Sequence, residues 1–274
     1  MSTAFVLDFE PAARDDARGD AQANEGLRRP RVVAVILAPT VAGMLGKALR
    51  KIPAGLVEEV FVMDDGSTDG TFAEARRLGV PVFRNERNLG YGGNLRRGLA
   101  RAVNDCGAEY VVEIHGDGAQ FDPRAIASTI PMMNEGVPFI MGSRFIEPGR
   151  ARANGMPWLR LVANRCLSAI SKRVLGLPLS EFHSGFRVYS KSFVETMPLE
   201  ANSPNHLFSF EVLAQAAYFG QRVAEVPVDA DYFSEHTSIS LRAAAIYAFA
   251  TLTCLGKYLL AKAGLRHSAI FPRR

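Results

Sequence analysis

The residues best able to do chemistry sit in short polar runs that follow apolar stretches. Asp64 and Asp65 open the run Asp-Asp-Gly-Ser-Thr-Asp-Gly directly after the apolar segment 57–63. Carboxylates placed there can accept hydrogen bonds from a nucleoside, and the same residues form good turns and helix caps; Asp69 fits the cap. His115, Gly116 and Asp117 follow the apolar segment 110–114. A carboxylate and an imidazole two positions apart can both reach one cation. Asp117 suits Mg2+ or Mn2+, and the imidazole tilts the choice toward Mn2+. Gln120 or Asp122 can add an oxygen ligand. The run Asn88-Leu-Gly-Tyr-Gly-Gly-Asn94 can turn backbone N–H groups toward a phosphate. It is not a dinucleotide fingerprint: Gly90 and Gly92 have the first spacing, but Leu95 fills the third small position. Arg144, after Gly142 and Ser143, supplies a cation for a phosphate or for a structural ion pair. Glu181, His183 and Arg187 bring acid, base and cation into one loop. His206 and His236 are the remaining histidine candidates, and a lone histidine is more often structural.

These runs need elements to hold them. Residues 31–38 (RVVAVILA) read as a strand buried on both faces. Helices are predicted at 44–52, 71–78, 94–103, 124–134, 158–175, 207–219 and 239–263. Strands are predicted at 57–63, 80–83, 110–114, 139–141 and 223–228, with 181–188 a polar loop leading into another. Strand, polar loop, helix, strand is the pattern of a doubly wound, mostly parallel sheet. Such sheets bind ligands beyond the carboxyl ends of their strands, where both acidic runs fall.

Composition sets the outer limits. The 274 residues are 48% hydrophobic and 22% charged, ordinary for a globular chain and incompatible with collagen, global disorder or a polytopic membrane protein. Cys106, Cys166 and Cys254 form no CxxC pair, which argues against a disulfide framework or a zinc site and fits a reducing cytosol. The net charge of +4 is compatible with anionic substrates or a membrane surface, and no RNP-type motif or dense basic helix marks a nucleic-acid binder. Residues 1–30 are polar and read as a disordered or loosely attached arm without an apolar signal core. A catalytic unit is expected at 31–238 and a C-terminal amphipathic helix with a basic tail at 239–274. The uncharged stretch of that helix, between Arg242 and Lys257, is 14 residues, short of the ~20 needed to span a bilayer.

In order, DDGSTDGT, NLGYGGN, HGDG, GSRF, SGFRVYS and EVPV resemble the family 2 glycosyltransferases, closest to the branch similar to dolichol-phosphate-mannose synthase. The resemblance covers roughly residues 31–240. It implies an α/β fold of the GT-A type, doubly wound and mostly parallel with a C-terminal helical extension. It also implies a nucleotide-diphosphate sugar as donor, a divalent cation (Mn2+ or Mg2+) and inversion at the anomeric carbon. Carried over, the resemblance puts Ala38, Asp64, Asp65, Asn88, Gly90, Gly116, Asp117 and Arg144 around the donor. The HGD triplet matches the family's DxD, with Asp117 the main metal ligand and His115 and Gln120 beside it. Arg144 and Arg187 match positions facing the donor phosphates or the acceptor. Ala42 stands where the family places a nucleotide-contacting Glu, which leaves the base open.

If the acceptor is a hydroxyl, a base must take its proton, and Glu181, then His183, is the candidate. A lipid-phosphate acceptor needs none. The expected partners are the sugar nucleotide, one of these acceptors, a peripheral contact with the inner face of the membrane and a second copy of the chain; the expected location is the cytoplasm. The competing readings are a catalytically degenerate binding module, motivated by His115 and Ala42, and a sugar nucleotidyltransferase, whose basic Gly-rich loop is missing at Thr40–Gly43. A Rossmann dehydrogenase ranks last.

Overall fold

The computed structural model describes residues 29–117, 120–232 and 240–273. The expected N-terminal arm therefore lies almost wholly outside the described residues, as do His236, Ile239 and Arg274.

Seven strands form one sheet: β1 (Val32–Ala38), β2 (Glu59–Asp64), β3 (Val82–Arg84), β4 (Tyr110–His115), β5 (Phe139–Ser143), β6 (Arg187–Ser190) and β7 (Val223–Pro227). Their order is β3-β2-β1-β4-β6-β5-β7. Every neighbouring pair is parallel except those made by β6, which runs antiparallel to β4 and β5. The N-terminal end of β6 thus lies beside the carboxyl ends of its neighbours. That reversal brings Arg187 to the same edge as Asp117 and Arg144.

The helices are α1 (Leu45–Lys51), α2 (Thr71–Arg77), α3 (Gly90–Asn104), α4 (Ile126–Asn134), α5 (Arg150–Ala153), α6 (Trp158–Leu175), α7 (Lys191–Thr196), α8 (Phe208–Phe219) and α9 (Leu241–Lys262). The strand β1 shows why the sheet is covered on both sides. Its seven residues are all buried, and successive side chains point to opposite faces. Val33, Val35 and Leu37 meet Leu95, Leu99 and Ala102 of α3 in one core. Val32, Ala34, Ile36 and Ala38 join Leu45 and Ala48 of α1 and Ile126 of α4 in the other. Burying each branched side chain contributes roughly 1.5–3 kcal/mol, and a register slip of one residue would exchange the two faces.

The C-terminal segment belongs to the same core. Cys254, Leu255, Tyr258 and Ala261 of α9, with Ile270 and Phe271 beyond it, pack with α8 in the first cluster. The Tyr218 hydroxyl donates to the Pro272 carbonyl at 2.8 Å.

Candidate active site

At the end of β2 the two acids part company. Asp64 is fully buried. Its Oδ1 accepts the Ser67 N–H at 2.9 Å, while Arg84 Nε lies 3.3 Å from Oδ2. That Oδ2 has no hydrogen-bond donor among the described residues. Asp65 is a tie: its Oδ1 accepts from Asn85 Nδ2 and from the Leu89 N–H, both at 2.8 Å. Asn85 continues to Asn94 at 2.9 Å, and Asn94 donates to the Met63 carbonyl at 3.0 Å. The Ala38 carbonyl receives the Ser67 hydroxyl at 3.1 Å. Asp69 is the cap its position implied, accepting from the Thr71 N–H and hydroxyl and the Ala42 N–H.

The glycine-rich segment corrects the phosphate-cradle expectation. It is the first turn of α3, which begins at Gly90 rather than Asn94. Four of its N–H groups are already used: Leu89 donates to Asp65, Gly90 donates to Asn88 Oδ1 at 2.8 Å, and Gly92 and Gly93 donate to the Pro204 carbonyl at 2.8 and 3.4 Å. Glycine is needed for packing. A Cβ on Gly92 would lie 2.3 Å from the Ser203 carbonyl oxygen and 2.7 Å from Phe208 Cβ.

At the end of β4, Gly116 donates to the Leu37 carbonyl at 2.8 Å, and a Cβ there would sit 2.8 Å from the same oxygen. This presses the turn onto β1 and presents Asp117 at the strand end, half-buried. Among the described residues Asp117 Oδ1 accepts only a long contact from the Gln120 main-chain N–H, 3.3 Å. Asp122 caps the following turn and pairs with Arg124, so both of its oxygens are already engaged. His115, expected beside Asp117 as a ligand, gives its Nε2 to Glu113 at 3.1 Å. Burial lowers the His115 pKa, but the Glu113 hydrogen bond and the Glu113 and Asp117 charges outweigh it and raise it. Among the described residues no three His, Cys, Asp or Glu side chains could hold a metal by themselves. One carboxylate at a strand end nevertheless fits Mg2+ or Mn2+ of the kind bound by one or two carboxylates plus substrate phosphates.

The second half of the site departs furthest from expectation. Arg144 and Glu181 form a buried, bidentate ion pair. Arg144 Nε lies 2.9 Å from Glu181 Oε1, its Nη2 also meets Oε1, and its main-chain N–H donates to Oε2 at 2.7 Å. Tyr232 takes the other Nη. Glu181 is thus no free general base and Arg144 no free phosphate clamp, because each satisfies the other. His183 Nδ1 meets the Tyr247 hydroxyl of α9 at 3.1 Å, and its ring stacks on Phe210. Burial, then the Arg144 and Arg187 charges, push its pKa down to about 3.

Arg187 is buried and donates to Ser209 at 2.9 Å, and its Nε has no hydrogen-bond partner among the described residues. His183 Nε2 and Thr251 Oγ1 of α9 are likewise buried without a hydrogen-bond partner among the described residues. The residue missed by sequence reasoning is Glu113, fully buried in β4. It accepts from Tyr91, from Tyr189 at 2.9 Å and from His115. Burial raises its pKa, but the His115 hydrogen bond and Arg187 hold it below the usual range. A lone Glu inside the apolar run Tyr-Val-Val-Glu-Ile was the available signal, since a buried charge demands partners.

The mixed sheet thus carries Asp117 just beyond the carboxyl end of β4 and Arg187 at the adjoining end of β6. Residues 36–197 match the family described as Glycosyl transferase family 2, and the chain belongs to that family: it is a glycosyltransferase with the GT-A fold. It is 28% identical over 176 residues to a polyprenol monophosphomannose synthase of Mycolicibacterium smegmatis, covering 62% of this chain and 65% of that protein. It is also 28% identical over 193 residues to a UDP-N-acetylglucosamine–dolichyl-phosphate N-acetylglucosaminyltransferase of Methanococcus voltae, covering 64% and 75%. Among solved structures, glucosyl-3-phosphoglycerate synthase from Mycobacterium tuberculosis, in complex with Mn2+, uridine diphosphate and glucosyl-3-phosphoglycerate, superposes with a TM-score of 0.62 at 20% identity. That match covers 87% of this chain and 82% of the other.

Proposed function

We propose that the protein transfers a sugar, with inversion, from a nucleotide-diphosphate sugar to a lipid phosphate of the polyprenyl type at the cytoplasmic face of a membrane. The observation that carries the choice of acceptor is the closed Arg144–Glu181 pair. With Glu181 engaged and His183 shifted far toward the neutral form, neither residue named as a base is suited to deprotonate a hydroxyl at neutral pH. A phosphate acceptor is already an anion. One of its oxygens bonds to the anomeric carbon, the bond from that carbon to the diphosphate breaks, and the nucleotide diphosphate leaves with the electron pair. No proton transfer is required.

Arg187 supplies the buried cation for this anion, through an Nε that no described group occupies. Asp117 would hold Mg2+ or Mn2+ together with the donor's phosphates. The cation, when bound, would neutralise the charge growing on the leaving diphosphate. Two relatives named for polyprenol and dolichyl-phosphate chemistry support the acceptor class. The experiment is radiolabelled transfer from a panel of nucleotide sugars to polyprenyl phosphate in detergent, against phosphoglycerate and simple glycoside acceptors. Product on the lipid alone is expected; product only on a hydroxyl acceptor would overturn the reading.

A further inference from the structure

We propose that α6 and α9 together form a platform that docks the enzyme onto an anionic phospholipid bilayer. The two helices pack against each other, and each leaves an apolar stripe in solvent. On α6 these residues are Trp158 and Leu159, 67% and 64% exposed, and Val162. On α9 they are Ile246 and Phe249, 61% and 74% exposed, and Leu252. Val162 follows Leu159 by three positions and Trp158 by four, and Ile246, Phe249 and Leu252 recur every three, which keeps each set toward one side of its helix. Soluble monomers rarely leave such faces uncovered without a use.

Charge identifies what covers them. Helix α6 contains Arg160, Arg165, Lys172 and Arg173 and no acid; residues 240–273 contain Arg242, Lys257, Lys262, Arg266 and Arg273 and no acid. Remove those nine and the rest of the chain carries 23 basic against 28 acidic residues, so the positive charge is concentrated on these two helices and the segment that follows α9. None of the nine pairs with a carboxylate among the described residues. An apolar stripe flanked by cations complements an anionic lipid surface. A second copy of the same face would instead oppose cation to cation. Helix α9 is long and apolar enough to cross a bilayer by length and composition. Its Leu255 and Tyr258, however, are 3% and 1% exposed within the core, which holds it flat against the domain.

Both helices are wired to the site. Arg160 lies over the ring of Tyr232, whose hydroxyl holds Arg144. Tyr247, on the inner side of α9, holds His183. The inference builds on the lipid-acceptor reading, but its test does not depend on transfer.

Trp158 is the chain's one tryptophan, so its emission reports directly from α6. Vesicles of phosphatidylglycerol and phosphatidylcholine are expected to shift that emission to shorter wavelength. Pure phosphatidylcholine should give a much smaller shift, and about 0.5 M NaCl should weaken the anionic-vesicle binding on the order of tenfold. Phe249→Glu, on the other helix, is expected to abolish the Trp158 shift while transfer to detergent-dispersed polyprenyl phosphate persists. No shift with anionic vesicles, a shift indifferent to Phe249→Glu, or a vesicle-free shift that tracks doubling of the mass would each overturn the proposal. Vesicle binding without transfer to any lipid phosphate would instead overturn the acceptor reading and leave the platform standing.

Discussion

Glu113 and Arg187 stand opposite each other in the antiparallel β4–β6 pair, and hydroxyls join them. Arg187 Nη1 donates to Ser209 at 2.9 Å, Ser209 meets the Tyr91 hydroxyl at 2.8 Å, and Tyr91 donates to Glu113. Burying both charges is tolerable only while each compensates the other.

Removing one partner alone should therefore be costly. Glu113→Gln is expected to destabilise the fold by about 3 kcal/mol, because Arg187 would keep its buried charge without the opposing carboxylate. Adding Arg187→Met should recover part of that loss, giving a coupling of at least about 1 kcal/mol. Urea unfolding of the two single variants and the double variant measures it, and simple additivity would refute the pairing.

Glu181 is where a base and a structural anchor give opposite results. A base would cost roughly 10²–10⁴-fold in turnover with little change in stability. The buried pair with Arg144 instead predicts that Glu181→Ala lowers stability by about 3–5 kcal/mol. Glu181→Ala combined with Arg144→Met should be more stable than Glu181→Ala alone. Thermal unfolding of these variants decides it, and an unchanged midpoint in Glu181→Ala would restore the base.

Much of this architecture was legible beforehand. The strand β1 and the helix α6 fall within a residue of their expected bounds, because unbroken apolar or helical periodicity leaves one solution. The carboxyl-end placement of Asp64 and Asp117 followed from the same pattern. What local sequence did not carry was partnership across the chain. Arg144 and Glu181 are 37 positions apart, and nothing near either residue announces the other. Gly92 looked like phosphate chemistry because close approach to Ser203 and Phe208, more than 100 positions later, is invisible until α8 is in place. The antiparallel turn of β6 was likewise unreadable from a four-residue strand. Leu255 is buried although Leu252, three positions earlier on α9, is exposed, and the reason is the same: α8 decides which face of α9 is inside.

Acid should find His183 first. Its pKa is about 3 in the folded chain, against an ordinary 6.5. Below pH 6.5 the unfolded state takes up a proton that the folded state refuses. The contribution of this group is thus complete above 6.5 and erodes as pH falls toward 3, at about 1.4 kcal/mol per pH unit. His115 is shifted the other way, so its contribution is complete below 6.5 and fades above it; it does not mask the acid limb. Stability of the native protein, followed by urea unfolding between pH 7 and 5, should fall more steeply than that of His183→Gln. Equal slopes would mean that His183 is not held neutral by its surroundings.

Asp117 carries the last expectation. Its one hydrogen bond with a described group is the 3.3 Å approach of the Gln120 N–H, so Asp117→Asn should leave the stability within about 0.5 kcal/mol of the parent, as for a surface change. The catalytic effect should be large. An amide keeps the shape but removes the charge that would hold a divalent cation against two phosphates, and loss of such stabilisation is worth on the order of 10²–10³-fold in turnover. Calorimetry separates this from a packing effect. Mn2+ should tighten nucleotide-diphosphate binding to the native chain and do so far less for Asp117→Asn, while metal-free binding stays similar in both. If Mn2+ strengthens binding equally in the two proteins, the cation is held elsewhere and Asp117 is not its ligand.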